Sequence, residues 1–299
     1  RVSRRIGVEL SIHRVESPDQ GHYAAGTLDL LEPKGVDLED LQPGIVQPAA
    51  GRASFRYMET AISLALAGRI DAIATAPLNK EALQAGGVPY IDHTAMLARM
   101  TGSPDPMTLF VLDNLRIFFV TRHLSLRDAI GQITRDRVLE ALRRADAELG
   151  RLGMAHPRIA VAGLNPHAGE GGLFGTEEQE EIAPAVAEAR RQGIDAFGPV
   201  PADSVFHLTL QGKFDAVMSL YHDQGHIAAK TRDFERTVSL TVGIPFIRSS
   251  VDHGTAFDIA WKGIASPVSM EEAIRVAAEY ALLYRSSAGA TRPESGSTP

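Results

Sequence analysis

Short apolar runs alternate with amphipathic helical segments along most of this 299-residue chain. The runs LRIFFVTRHL, PRIAVAGLNPHAG, KFDAVMSLYHDQG and RTVSLTVGIPFI are rich in β-branched and aromatic residues, as buried strands are. ASFRYMETAISLALAG and RDRVLEALRRADAELGRLG show helical spacing, and SPVSMEEAIRVAAEYALLYR is a predicted helix with Ser269 and Glu272 as a capping box. Strands separated by helices are typical of βαβ units. We therefore predict an α/β fold with a mostly parallel sheet.

The composition excludes several classes of protein. A net charge of -7 disfavours binding to nucleic acid, although it leaves room for a small anionic substrate. Because the chain has no cysteine, a transition-metal site must use histidines and carboxylates. No apolar run approaches the roughly 20 residues of a membrane span, and no signal peptide is visible, so we expect a cytoplasmic protein without a membrane partner. The small, polar last residues, SSAGATRPESGSTP, predict a disordered tail.

Three of the apolar runs deliver a histidine where the predicted strand stops, namely His123, His167 and His222. Ligands of open α/β sheets bind outside the carboxyl ends of the strands, so the three imidazoles could converge there. Three imidazoles with open coordination positions are typical of a catalytic divalent-metal site. Asp223 could orient His222 through its other ring nitrogen. The alternatives are hydrogen-bonded loop histidines and a turn aspartate.

Several further side chains could hold an anionic substrate. Lys230 and Arg248 follow predicted strands and could bind a carboxylate or phosphate, although single basic residues are usually only solvated. His93 and Thr94 lie in a loop or at a helix start, where Thr94 could donate to a phosphate or cap the helix.

Two polar loops could contact a cofactor. In VDHGTAFDIAWKGIASP, a glycine and a small hydroxyl residue after His253 give close backbone access, and Asp258 could accept a ribose hydroxyl. NPHAGEGGLFG places glycines before a helix, which is either a weak phosphate motif or a mobile loop.

Six sequence blocks together resemble the 4-hydroxythreonine-4-phosphate dehydrogenase family, over a region from about Gly51 to Tyr280. In order, the blocks are TAPLNKEAL, DHTAMLA, LNPHAGEGGLFGTEE, GPVPADSVF, YHDQGHIAAK and GIPFIRSSVDHGTAFDIA. The resemblance implies metal- and NAD(P)-dependent oxidation of a secondary alcohol beta to a carboxylate, followed by loss of CO2. It also implies a two-lobed fold like that of isocitrate and isopropylmalate dehydrogenases, with the active-site cleft between the lobes.

The resemblance assigns roles to individual residues. One divalent ion (Zn, Mg, Mn, Co or Ni) is expected on His123, His167 and His222. The expected catalytic residues are Lys230 and Asp223. The expected substrate contacts are His93, Thr94, Lys230, Ser239 and Arg248. The expected cofactor contacts, in a loop similar to the adenosine-binding loop of isopropylmalate dehydrogenases, are His253, Gly254, Thr255 and Asp258. Asp258 favours NAD over NADP.

The resemblance also implies a domain organisation and an oligomeric state. We expect a first lobe from residues 1–90 and 245–299, which carries the cofactor loop, and a second lobe from residues 91–244, with metal, substrate and dimer contacts. The family's usual opening segment, GDPAGIGPE, has no match, so we expect either a truncated N-terminus or the loss of this element. A homodimer with active sites built from both subunits is expected.

Departures from the family pattern indicate the substrate. Ser239 replaces an asparagine of the vitamin-pathway enzymes, and Ala95 replaces an acid. His226 and the following KTRDFERTVSLTVG look more like the branch that acts on D-threonate or D-erythronate 4-phosphate, with dihydroxyacetone phosphate as product. The alternatives are a 4-hydroxythreonine-4-phosphate dehydrogenase of pyridoxal phosphate biosynthesis, a cyclic dihydrodiol carboxylate dehydrogenase, a non-redox metal-dependent lyase and a non-catalytic binding protein.

Overall fold

The computed structural model describes residues 2–287. Within them the strands are β1 Ser11–Val15, β2 Thr27–Leu31, β3 Ala72–Thr75, β4 Met107–Leu112, β5 Leu115–Phe119, β6 Ile159–Ala162, β7 Ala196–Val200, β8 Ala216–Ser219, β9 Val238–Val242 and β10 Ile247–Ser250. The α-helices are α1 Val2–Arg5, α2 Pro48–Leu66, α3 Lys80–Ala85, α4 His93–Thr101, α5 Leu126–Gly131, α6 Arg135–Arg151, α7 Ala183–Arg191, α8 Ala202–Leu210, α9 His222–Arg232 and α10 Val268–Ser287.

The chain divides into two compact units. The first contains the residues up to 107 together with 235–277, and the second contains 108–234 together with the chain from 278 onward. The lobe boundaries expected from the sequence, after residues 90 and 244, stay a prediction. The expected disordered tail falls, from residue 288, outside the described residues.

In the second unit, five strands lie in the order β4, β5, β8, β6, β7. β5, β8, β6 and β7 are parallel, and β4 pairs with β5 in antiparallel orientation. Every residue of β6 and of β8 is buried. Parallel strands that are covered on both faces have continuous apolar sequences, and the sequence therefore predicted these strands clearly. The prediction of an α/β fold with mostly parallel strands is confirmed.

In the first unit, β3 and β10 are parallel, and β9 pairs with β10 in antiparallel orientation. Met58, Ile62, Met96 and Leu97 on helices α2 and α4 belong to the buried core of this unit. Helices α2 and α3 approach closely at Gly51, where an added Cβ would lie 1.8 Å from a backbone oxygen of α3. β1 and β2 form a separate two-stranded parallel sheet.

Two local predictions were wrong. The run KFDAVMSLYHDQG is a strand only to Ser219, and helix α9 begins at His222. The expected capping box does not form, because α10 begins one residue before Ser269. The Ser269 hydroxyl instead donates to the Glu235 carbonyl at 2.7 Å, and the Glu272 carboxylate accepts from Arg275.

Helix α9 packs tightly against the sheet of the second unit. An added Cβ at Gly225 would lie 2.6 Å from the Phe119 ring, 2.8 Å from Ile117 and 2.8 Å from the Ser219 hydroxyl. Only glycine therefore allows the helix to lie this close to β5 and β8. Among residues 2–287, no helix has the length and the apolar composition needed to cross a membrane.

Candidate active site

The three histidines expected to bind metal follow three neighbouring strands. β5, β8 and β6 are adjacent and parallel, so their carboxyl ends lie at the same edge of the sheet. His123, His222 and His167 come three to five residues after these ends. Ligand sites of open α/β sheets form at this edge. The topology thus agrees with the expected placement at the strand ends.

Side-chain hydrogen bonds connect the segments that lead to the histidines. The hydroxyl of Thr121, beyond β5, donates to the Leu220 carbonyl, beyond β8, at 2.8 Å. The buried Gln224 amide accepts from the Leu220 backbone N–H and donates to the Gly163 carbonyl, beyond β6, each at 2.8 Å. A displacement of one of these strand ends therefore affects the other two.

His167 lies on a short left-handed turn. Residues 167–171 have φ values of 50°, 54°, 81°, 44° and 68°. For residues other than glycine, this conformation costs roughly 1–2 kcal/mol each. The Glu178 carboxylate, 2% exposed, accepts from the backbone N–H groups of Leu164 and Asn165 at 2.7 Å each and from the Asn165 amide at 2.9 Å. These bonds fix the start of the turn and help to maintain its strain.

Only two of the three imidazoles, those of His123 and His222, lie close together. His123 and His222 line one pocket of about 290 Å³, with ring centroids 6.0 Å apart. Within the described part of the chain, the ligand atoms of His123, His167 and His222 do not all lie within 4.8 Å of one another. The structure therefore pairs His123 with His222 and leaves His167 outside that pair.

Carboxylates contact two of these imidazoles. His222 Nδ1 lies 2.6 Å from Asp223 Oδ1, and His167 Nδ1 lies 3.1 Å from Glu170 Oε2. Metal-binding histidines usually hold a carboxylate on the nitrogen that does not bind the ion. The donor chemistry of these residues fits a divalent metal ion.

One face of α9 joins His222 to Lys230. His222, His226 and Lys230 are spaced by four residues and share this face. The His226 ring stacks on His222 with centroids 3.6 Å apart, and it contacts Phe110 at 4.2 Å and Phe119 at 5.0 Å. Burial, with the nearby His222 and Lys230, lowers the pKa of His226 to about 3. His226 is therefore neutral at neutral pH and separates the two other residues.

In the first unit, Arg248 is a buried cation. Its side chain, on β10, donates to the Thr75 hydroxyl at 2.5 Å and to the Thr241 hydroxyl at 3.3 Å. Its Nε has no hydrogen-bond partner among residues 2–287. Burial lowers the pKa of Arg248 to about 10, so the guanidinium still carries its charge at neutral pH. The Asp92 carboxylate acts on this charge electrostatically, but the hydrogen bonds of the guanidinium go only to hydroxyl groups, which favours the binding of an anion.

His93 is the first residue of α4. Asp92 caps this helix by accepting from the Ala95 backbone N–H at 2.9 Å, so the reading of Thr94 as the cap was wrong. Burial and the charge of Arg248 lower the pKa of His93 to about 3. A neutral imidazole beside a buried cation, at a helix N-terminus, suits an anionic ligand.

The remaining expected contacts also lie in the first unit. Ser239, on β9, is half-buried and pairs in register with Ser250 on β10. The four expected cofactor contacts lie in the loop after β10, around a 3₁₀ turn at Phe257–Ile259. All four are at least partly exposed, namely His253, Gly254, Thr255 and Asp258. Their accessibility suits contact with a ligand, and their role stays a prediction.

A model of the family described as "Pyridoxal phosphate biosynthetic protein PdxA" matches residues 2–277. The chain belongs to this family. A relative from Symbiobacterium thermophilum, provisionally named D-threonate 4-phosphate dehydrogenase, is 57% identical over 95% of this chain and 85% of its own. The predicted family is thus confirmed.

Two solved structures are similar in fold and sequence to this chain. A 4-hydroxythreonine-4-phosphate dehydrogenase from Klebsiella pneumoniae is 43% identical, with a TM-score of 0.87 over 94% of this chain and 85% of its own. A terephthalate 1,2-cis-dihydrodiol dehydrogenase from Burkholderia xenovorans is 34% identical, with a TM-score of 0.61 over 90% and 83%.

Sequence reasoning missed four residues that support the site in this PdxA-family chain. Glu178 and Gln224 lie inside blocks that carry the resemblance, close to His167 and His222, so their position was a usable signal. Thr75 begins the block TAPLNKEAL, whereas Thr241 lies within an ordinary apolar strand. The sequence gives no signal for the contact between Thr241 and Arg248. That contact arises from the pairing of β9 with β10, in which the two residues are partners in register.

Proposed function

We propose that the protein is a metal-dependent, NAD-linked dehydrogenase of a phosphorylated 3-hydroxy acid, with D-threonate or D-erythronate 4-phosphate as substrate. The name of the 57% identical relative supports this substrate class. The observation that carries the proposal is the buried guanidinium of Arg248, whose partners are hydroxyl groups, beside the neutral imidazole of His93. Together they suit a phosphate or carboxylate group.

The proposed reaction has two parts. Oxidation removes a hydride from C3, which NAD⁺ accepts, and a proton from the C3 hydroxyl. Cleavage of the bond between C1 and C2 then releases CO2 from the resulting 3-keto acid. Protonation at C2 completes the product, dihydroxyacetone phosphate.

The chain's own residues would bind and orient the reactants. Arg248 would hold the anionic group through the fork of its guanidinium, with His93 and Thr94 donating at the start of α4. Ser239 would contact the substrate from β9. NAD would lie on the loop that contains His253, Gly254, Thr255 and Asp258, and NADP remains the alternative.

In the second unit, His123, His167 and His222 would hold one divalent ion, Zn²⁺, Mg²⁺, Mn²⁺, Co²⁺ or Ni²⁺. Such an ion, when bound, lowers the pKa of a substrate hydroxyl and polarises a carbonyl. Asp223, 2.6 Å from His222, would fix the orientation of that imidazole. Lys230, half-buried on the same face of α9, would hold the carboxylate or transfer a proton to C2.

A homodimer is part of the proposal. The resemblance to the family implies active sites that use residues of both subunits. His167, outside the pair formed by His123 and His222, suits an arrangement in which ligands come from two copies of the chain. Mixing inactive His167→Ala and His222→Ala variants tests this: hybrid dimers should regain activity, and a mixture that stays inactive contradicts the shared site.

The direct test is a substrate panel. Purified protein with a divalent metal, NAD⁺ and D-threonate or D-erythronate 4-phosphate should form NADH and dihydroxyacetone phosphate, and EDTA should stop both. The panel also contains 4-hydroxythreonine 4-phosphate, because the 43% identical Klebsiella structure makes its oxidation the second candidate function. A cyclic dihydrodiol carboxylate tests the activity named for the Burkholderia structure. Absence of NADH formation with every phosphorylated acid contradicts the proposal, and product formation without NAD⁺ indicates a lyase.

We propose that His226 contributes to the choice among these substrates. It lies between His222 and Lys230 on the face of α9 that is assigned to metal and substrate. His226→Leu should change the ratio of kcat/KM between the four-carbon acid phosphate and 4-hydroxythreonine 4-phosphate by about tenfold, which corresponds to about 1.4 kcal/mol. An equal loss for both substrates would assign His226 a purely structural role.

A further inference from the structure

A second group of metal-type donors lies in the first unit, on the two-stranded sheet of β1 and β2. His13 and Asp29 are partners in register across this parallel pair. His13 Nδ1 lies 2.8 Å from Asp29 Oδ1. The Asp29 side chain is 13% exposed and the His13 side chain 31% exposed, so the pair is partly shielded from solvent.

The loop between the two strands brings a second histidine to this pair. The Asp29 carboxylate accepts from the backbone N–H groups of His22 at 3.0 Å and Tyr23 at 2.8 Å. The rings of His13 and His22 are stacked, with centroids 3.7 Å apart. One ligand atom of each of the three residues lies within 4.8 Å of the others, and in the described part of the chain this is the only such group.

The loop itself is held in place. The Tyr23 hydroxyl donates to the Pro18 carbonyl, and Arg69 donates to the Ser17 hydroxyl at 2.9 Å and pairs with Asp19. His22 is therefore presented by a loop with several tertiary contacts. Its side chain is exposed, so the ring can turn from the stack toward a shared ligand.

We propose that His13, His22 and Asp29 form a binding site for a late first-row divalent cation such as Zn²⁺. Two imidazoles and one carboxylate are ligands that such ions accept, and water can complete the coordination. Asp29 either binds the ion directly or orients His13 as its carboxylate partner, and both arrangements need the same three residues.

The hydrogen bonds to Asp29 support the site. The backbone N–H groups of His22 and Tyr23 hold the Asp29 carboxylate beside the His13 ring. A bound cation would connect β1, β2 and the intervening loop, so the site is structural and independent of the proposed dehydrogenase activity.

Zn²⁺ binding tests the site when the proposed active-site ion is removed first. In a His222→Ala background, calorimetric titration should still detect a Zn²⁺ ion bound to each chain, and Zn²⁺ should raise the unfolding temperature. Adding His22→Gln, a change at an exposed position, should weaken this binding by at least about tenfold and abolish the temperature shift. Adding Asp29→Asn should weaken Zn²⁺ binding similarly.

His207→Gln in the same background is the matched control, because His207 is an exposed histidine on α8 outside this group. It should leave Zn²⁺ binding unchanged. The proposal is overturned if the His222→Ala protein binds no Zn²⁺, or if His22→Gln and His207→Gln have the same effect. Because no substrate is used, the result is independent of the dehydrogenase assay.

Discussion

The histidines expected at the active site occupy two contrasting environments. In the first unit His93 is largely buried, and the charge of Arg248 helps to lower its pKa to about 3. In the second unit the His167 side chain is 64% exposed and lies on a strained left-handed turn. Burial therefore determines the chemical state of His93, whereas backbone geometry determines where His167 is presented. The environment of His93 suits an anion, and that of His167 suits a metal cation that binds from solvent.

His167→Ala should have the largest effect, because it removes a proposed metal ligand without disturbing a core. We expect loss of measurable metal binding and a fall in kcat of about 1000-fold, since a catalytic metal ion contributes several kcal/mol in enzymes that use one. Metal content by elemental analysis and NADH formation measure the two effects. His207→Ala, the exposed histidine on α8, should keep both, and retention of full metal content and rate by His167→Ala would show that the ligand assignment is wrong.

Arg248→Met should lower kcat/KM by about 100-fold or more, because loss of a buried ionic partner costs about 2–5 kcal/mol. The free energy of unfolding should stay unchanged or increase, since Met removes a buried charge whose hydrogen bonds go only to hydroxyl groups. Steady-state kinetics and urea unfolding measure the two quantities. Arg99→Met, at an exposed position of α4, is the control. A parallel loss of stability and activity would instead make Arg248 a structural residue.

Glu178→Gln tests whether the left-handed turn depends on its carboxylate partner. The amide group can no longer accept all three hydrogen bonds from Leu164 and Asn165. We expect metal affinity to fall by about tenfold and the unfolding free energy to fall by about 2 kcal/mol. Glu180→Gln, at an exposed position of the short π-helix Glu178–Ile182 that begins with Glu178, should change neither. Unchanged metal affinity in a destabilised Glu178→Gln protein would separate the fold of the turn from ligand presentation.

The smallest expected effect is the pH dependence of stability caused by His93. The unfolded imidazole takes up a proton below about pH 6.5, whereas the folded one stays neutral until about pH 3. The unfolded state therefore binds more protons in this window, and stability decreases as pH falls through it, by up to about 1.4 kcal/mol per pH unit. Urea unfolding from about pH 7 to about pH 5 should show a smaller decrease for His93→Asn. Equal pH profiles would place His93 in a solvated environment.

The sequence predicted the elements whose signals are local. Apolar runs identified the buried strands β5, β6 and β8, and the rule that ligands bind at the carboxyl ends placed three histidines at one sheet edge. It could not predict that α9 begins at His222, because this helix has no strong amphipathic pattern. The contacts of Glu178 and Thr241 depend on tertiary approach between segments far apart in the chain, so no spacing rule contains them.

A substitution at Gly225 would move the face of α9 that carries His222, His226 and Lys230 without altering those residues. Phe119, Ile117 and Ser219 leave no space for even one methyl group above this glycine. Gly225→Ala would therefore force the helix away from the sheet and displace His222, His226 and Lys230 together. For an engineer, this position adjusts the distance between these three candidate site residues and the strand ends as a single variable. Among natural variants, even an alanine at this position would displace side chains that it does not contact.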